Sequence, residues 1–131
     1  MAGDSIGRRK TQQRDVIQAV ISAAPGPLSV PEIHETAMDT LPTMGVATVY
    51  RAVKLLQETG QIHAVSLPGD AARYEAADLG HHHHFRCTEC DRVYDLPGCL
   101  LPIPDGTELP GGFTVTGHEI TLTGVCPTCS G

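Results

Sequence analysis

The chain has 131 residues, 40% of them hydrophobic, with no Trp, 4% aromatics and a formal net charge of −6. That is room for one domain or two very small ones, whose thin cores need a staple. No stretch approaches the roughly 18 apolar residues that span a bilayer, which excludes a membrane protein.

The polar start MAGDSIGRRKTQQRD lacks the apolar segment of a secretory signal peptide. A cytoplasmic, reducing setting is therefore expected, in which five cysteines read as metal ligands sooner than as disulfides. Charge is unevenly placed. Up to Gly69 six basic residues (Arg8, Arg9, Lys10, Arg14, Arg51, Lys54) balance six acidic ones, whereas from Asp70 onward three basic residues stand against nine acidic. All five cysteines and five of the seven histidines lie in that acidic half. Two domains with two functions are expected, over 1–76 and 77–131.

Val16, Ile17, Val20 and Ile21 form an apolar stripe that predicts an amphipathic helix over 11–24, ended by Pro25-Gly26-Pro27. Ser29 and Glu32 are spaced as a capping box and open a second helix, with Pro31 tolerated in its first turn. Ile33, Ala37 and Met38 supply its buried face, and its end is expected near Leu41-Pro42. A third helix is predicted over 46–59, capped by Thr43, buried through Val46, Val49, Val53 and Leu56, and closed by Gly60 in a left-handed conformation. Alternating Ile62, Val65 and Leu67, the turn Pro68-Gly69-Asp70 and the return from Ala71 to Glu75 predict a hairpin.

Three helices followed by a hairpin are the winged-helix form of helix-turn-helix, although any small α+β unit has the same pattern. A break follows at 76–80. Short strands are expected over 85–87, 92–96, 113–115 and 119–125, and the segment 97–112 is too rich in Pro and Gly for a long helix.

Cys87, Cys90, Cys126 and Cys129 form two CxxC knuckles. The two-residue gap lets both thiolates of a turn reach one ion, and two turns complete the tetrahedron that suits zinc. Two local disulfides or a redox CxxC are the alternatives. The 35 residues between the knuckles mean that the site ties distant strands together. His81 to His84 stand just ahead of the first knuckle. In an extended chain His82 and His84 face one side and His81 and His83 the other, so two HxH pairs can seed two metal sites, unless the run is merely solvated. On the third helix Thr48, Tyr50, Arg51 and Lys54 face away from the buried valines, a face suited to the DNA major groove or to plain solvent. Arg8, Arg9, Lys10 and Arg14 would then hold phosphates.

Taken together, GVATVYRAVKLL, the wing ending RYE, HHHHFRCTEC followed by RVYD, and HEITLTGVCPTC resemble the ferric uptake regulator (Fur) family of metal-responsive repressors, from about Thr11 to Cys129. The resemblance implies an α+β chain: an N-terminal winged helix, then a small α/β dimerisation domain with a four-cysteine zinc site. It implies a homodimer that binds a pseudo-palindromic double-stranded DNA operator when loaded with metal, controlling metal homeostasis or oxidative-stress genes, and no enzymatic activity. Matched residue by residue, Cys87, Cys90, Cys126 and Cys129 fall on the structural Zn2+ site. Glu75, His82 and His84 fall on the regulatory site between domains, with Asp95 where some members place an acidic ligand and His63 where zinc sensors place a DNA-domain ligand.

Zn2+, Fe2+ or Mn2+ are the regulatory ions so implied. The family's histidine at the start of the second helix is replaced by Pro27, and His34 is a weaker competitor, expected at an exposed position. A second site is implied at His81, His83 and His118. Its glutamate has no match in PGCLLPIPDGTELPGG, where Cys99, Asp105 or Glu108 could substitute. Two other function classes compete. A cytosolic metal buffer explains the histidines but not the helical half. A zinc-dependent hydrolase has only His118-Glu119 as a tempting pair, and no HExxH motif occurs.

Overall fold

A computed structural model describes the backbone of residues 2–130 and the side chains of residues 7–130. The chain divides into two compact units, Met1–Leu79 and Gly80–Gly131.

The first unit contains α1 (Ala2–Ala23), β1 (Leu28–Ser29), α2 (Val30–Ala37), α3 (Val46–Glu58), β2 (Ile62–Val65) and β3 (Arg73–Ala76). Helix α1 starts well before the predicted Thr11, because the polar residues ahead of the apolar stripe include good helix formers such as Arg8, Arg9 and Lys10. Helix α2 opens as the sequence predicts: Ser29 and Glu32 form the reciprocal capping box. It ends at Ala37, short of the predicted Leu41-Pro42. Turns at Asp39 and Thr40 follow, and Pro42 disfavours helical geometry in the residue before it.

Gly45, not Thr43, is the N-cap of α3, in an extended conformation with no side-chain cap bond. Val46 therefore sits in the first turn, 44% exposed, and Ala52 takes its expected place in a buried stripe of Val49, Ala52, Val53 and Leu56. Gly60 closes α3 at φ +76. There the Gln61 amide reaches the Leu56 carbonyl at 2.9 Å, a bond that requires the left-handed turn.

The hairpin β2–β3 pairs antiparallel with Ile62 opposite Ala76 and His63 opposite Glu75. Strand β1 adds a third member on the other side of β3, giving the order β1-β3-β2. Two residues are too few for alternation to reveal, and no strand is expected there from the sequence. The core gathers Ile17, Ile21, Ile33, Val49, Leu56 and Ile62 from all three helices and the wing. Each such aliphatic side chain contributes about 1.5–3 kcal/mol on burial.

A buried cation locks the wing to α2. The Arg73 guanidinium donates to Glu32 Oε1, to Asp70 Oδ2 and, at 3.3 Å, to the Pro27 carbonyl. Arg73→Ala is expected to cost about 2–4 kcal/mol, below a fully buried pair because Glu32 remains partly exposed. Urea unfolding followed by far-ultraviolet circular dichroism measures it. A loss of only a few tenths of a kcal/mol, the scale of a surface pair, would contradict this account.

The second unit contains β4 (His82–Cys87), β5 (Val93–Pro97), β6 (Glu108–Leu109), β7 (Phe113–Thr114), β8 (Thr121–Gly124) and the single turn α4 (Pro127–Ser130). Its main sheet has the order β5-β4-β8, antiparallel on one side of β4 and parallel on the other. A Cβ at Gly124 would come to 3.0 Å from the tip of the Phe85 ring, so a larger residue there would make that ring give way by a few tenths of an ångström. Among the described residues no helix occupies 97–112, as its Pro and Gly content leads one to expect, and the segment holds loop and the two-residue β6. The buried side chains of this unit, among the described residues, are His83, Cys87, Val93 and Cys126. Only Val93 is an ordinary core residue. No helix of the described residues is long and apolar enough to cross a membrane.

Candidate metal centres

The parallel pairing of β4 with β8 explains the long gap between the two knuckles. Cys87 lies opposite Gly124, so both strands leave the sheet at the same end and each turns directly into a CxxC. The four sulfurs of Cys87, Cys90, Cys126 and Cys129 lie within 4.8 Å of one another. Cys90 Sγ and Cys126 Sγ are 3.9 Å apart, close to the edge of roughly 3.8 Å that a tetrahedron of zinc–sulfur bonds has. The Asp91 amide bonds the Cys87 carbonyl at 3.0 Å and closes the first knuckle, with Asp91 at φ 60.

Burial raises the Cys87 thiol, but the backbone amides of Cys126, Cys90 and Glu89 outweigh it and bring Cys87 down to about 6. The Tyr94 hydroxyl lowers Cys126, and hydrogen bonding to Cys126 pushes Cys129 up to about 12. Cys87 is thus prepared as a thiolate and Cys126 is eased towards one, and an ion must displace the remaining protons. Donor type, number and spacing fit Zn2+. Sequence reasoning misses Tyr94, whose only signal is its place beside the knuckle.

The histidine run splits as strand alternation requires. On one face of β4, the ring centroids of His82 and His84 are 4.9 Å apart. Asp95 stands opposite His84 in the antiparallel register, with its Oδ1 3.5 Å from His82 Nε2 and 3.4 Å from His84 Nε2. The Gly80 carbonyl accepts from His82 Nδ1 at 2.6 Å, which leaves Nε2 to act as a ligand. On the other face His81 and His83 meet His118, and Cys99 joins them. Burial, with the neighbouring His81 and His118 rings, pushes His83 below its ordinary value, so it stays in the neutral form that binds metal. Glu108 is exposed on β6, and Asp105 lines the cavity beside His81, Cys99 and His118.

In the first unit, His63 Nε2 and Glu75 Oε1 are 2.8 Å apart across the β2–β3 register. His63 is half-exposed and Glu75 is buried. His34, expected at an exposed position, is half-buried and donates from Nε2 to the Met44 carbonyl at 2.7 Å, so its ring holds the α2–α3 turn. On α3, Tyr50, Arg51 and Lys54 are exposed and Thr48 is half-buried. Arg51 donates to Thr48 Oγ1 at 3.2 Å, while Arg8, Arg9 and Lys10 on α1 are exposed and Arg14 is half-buried.

The family model described as the ferric uptake regulator family matches residues 5–123. The ferric uptake regulation protein of Synechococcus elongatus is 30% identical over 127 residues, covering 94% of this chain and 86% of that protein. In solved structures, a zinc-bound manganese uptake regulator has a TM-score of 0.69 at 23% identity, covering 87% of each chain. A Helicobacter pylori ferric uptake regulator with three functional metal-binding sites has a TM-score of 0.62 at 19% identity, covering 92% of this chain and 81% of that one. Those two likenesses fix the architecture as a winged helix followed by a small α+β domain. The chain therefore belongs to the ferric uptake regulator family, and is a metal-dependent transcriptional regulator and not an enzyme.

Proposed function

We propose that the chain is a homodimeric repressor whose binding to a two-fold DNA operator depends on a divalent ion held by His63, Glu75, His82, His84 and Asp95. The observation that carries this reading is where the donors fall along the chain. A His–Glu pair lies on the last hairpin of one unit and a His–His–Asp trio on the first strands of the other. Only residues 77–81 separate β3 from β4. A short tether keeps the two half-sites at high effective concentration. The ion supplies a cross-link between donors on both units, and so favours one relative orientation.

The protein's own residues do the rest. Thr48, Tyr50, Arg51 and Lys54 on α3 are offered to base edges and Arg8, Arg9, Lys10 and Arg14 to phosphates, with two α3 helices of a dimer meeting half-sites about one turn apart. Large apolar side chains left exposed on the second unit, including Leu100, Leu101, Phe113 and Leu122, support its role as the dimer face. The acidic surplus from Asp70 onward repels DNA in the metal-free chain, and bound cations reduce it. Cys87, Cys90, Cys126 and Cys129 hold a structural zinc, and the buffer reading fails to account for α3.

Selection from a random duplex pool tests the proposal, run with zinc, iron(II), manganese(II), nickel(II) or chelator, on protein that retains the metal of its cysteine site. One of the metals is expected to enrich a pseudo-palindromic sequence that the chelated protein does not bind. Equal enrichment in every arm, or none, would overturn it. The winning ion also identifies the coordination: zinc favours four nitrogen-rich donors, iron(II) or manganese(II) five with Asp95 included.

A further inference from the structure

The cluster on the far face of β4 lies entirely within Gly80–Gly131 and stands apart from the hinge donors. We infer that Cys99 is the fourth ligand of a metal site whose other three ligands are His81, His83 and His118, and that its thiolate makes the site select a zinc-class ion over iron(II) or manganese(II).

The distances carry the inference. His81 Nε2 lies 3.1 Å from His83 Nε2, His83 Nε2 lies 3.4 Å from Cys99 Sγ, and Cys99 Sγ lies 3.2 Å from His118 Nε2. Bonds of about 2.0–2.3 Å to a tetrahedral ion require donor–donor edges of roughly 3.3–3.8 Å, so each pair needs to move by only a few tenths of an ångström. All four donor atoms lie within 4.8 Å of one another. Neither carboxylate nearby competes: Glu108 is exposed on β6, and Asp105 is outside the four-donor cluster.

Chain topology places the four groups together. His83 is in β4 and His81 just precedes it. Cys99 follows the end of β5, and His118 precedes β8, which lies on the opposite side of β4 from β5. The three histidines alone leave a tetrahedral ion one donor short. Of the groups around them, Cys99 brings the sulfur that separates zinc, a borderline-soft ion, from the oxygen-preferring manganese(II) and the harder iron(II). An open cavity of about 410 Å³, lined by His81, Cys99, Pro102, Asp105 and His118, gives an ion a way in. A second thread supports the assignment: His83 is a polar side chain only 2% exposed, and the groups its Nε2 meets in that buried position are the His81 imidazole and the Cys99 sulfur.

Cobalt(II) titrated into the full-length protein, with zinc kept in the site of Cys87, Cys90, Cys126 and Cys129, tests this directly, because the hinge donors contain no sulfur. Carried past two equivalents, the titration is expected to produce a near-ultraviolet sulfur-to-cobalt charge-transfer band with the intensity of one thiolate per bound ion. Cys99→Ser is expected to abolish the band and weaken cobalt binding at this site by roughly tenfold or more, while one zinc per chain and the circular dichroism spectrum stay unchanged. Cys99→Asp should lower the ratio of zinc to manganese(II) affinity at the site by a comparable factor. No charge-transfer band in the unmodified protein, or a band that survives Cys99→Ser at full intensity, would overturn the assignment. Because DNA is absent from these measurements, their failure leaves the hinge proposal standing, and failure of the hinge proposal leaves them standing.

Discussion

Replacing Cys126 with Ser is expected to unfold Gly80–Gly131 while Met1–Leu79 remains folded. Of the four buried side chains described in the second unit, His83, Cys87 and Cys126 belong to clusters that could hold a metal ion and only Val93 is an apolar core residue in the usual sense. So small a core cannot offset the chain entropy of some fifty residues, at about 1–2 kcal/mol each for the backbone alone. An ion held by four thiolates can contribute on the order of 10–16 kcal/mol of apparent binding energy, which in such a unit is folding energy. The first unit needs no such help, because Ile17, Ile33, Val49 and Leu56 are each fully buried in its own cluster. Amide dispersion in a nitrogen–proton correlation spectrum reports on both units at once. Collapse confined to residues 80–131, reproduced by a strong chelator, is the expected outcome. A variant whose second unit stays dispersed without metal would refute the staple.

His82→Ala is expected to lower metal-dependent operator affinity by about a hundredfold or more, to the level of the chelated protein, with zinc content and dimer mass unchanged. The size follows from population shift: moving an orientation from about one per cent to dominance requires a strong preference of the ion for that state, and one missing donor removes most of it. His84→Ala should behave alike, since His84 shares the Asp95 contact and the same face of β4. His81→Ala should not, because its ring lies with His83 and His118 on the other face. Fluorescence anisotropy on the selected duplex, with mass photometry of the free protein, separates the three variants. Equal losses from His81 and His82 would show that the two faces are not distinct sites.

Legibility in the sequence followed the range of the interactions involved. The capping box of Ser29 and Glu32, the left-handed Gly60 and the two faces of the histidine run depend on neighbours a few residues away, and local rules find them. The buried stripe of α3 was nearly readable, but its register hinged on where the helix begins, and Gly45 took the N-cap that Thr43 suits by residue type. Other features depend on contacts that no local pattern encodes. Strand β1 exists because β3 lies beside it; His34 is drawn from solvent by the Met44 carbonyl ten residues on; and Arg73 is buried by Glu32, forty-one residues away in the chain. Cys99 belongs to this class as well. The odd cysteine and an HxH motif were visible, but only the folding of β5 and β8 around β4 brings the sulfur to the imidazoles.

At the centre of the account is a coupling between an ion at the hinge and DNA on α3, and thermodynamic reciprocity exposes it most directly. The measurement is a calorimetric titration of the regulatory metal into the zinc-retaining protein, with and without the selected operator duplex. Operator is expected to tighten metal binding by the same factor by which metal tightens operator binding. Identical metal affinities in the two titrations would mean that ion and DNA bind without regard to one another, and would contradict the account.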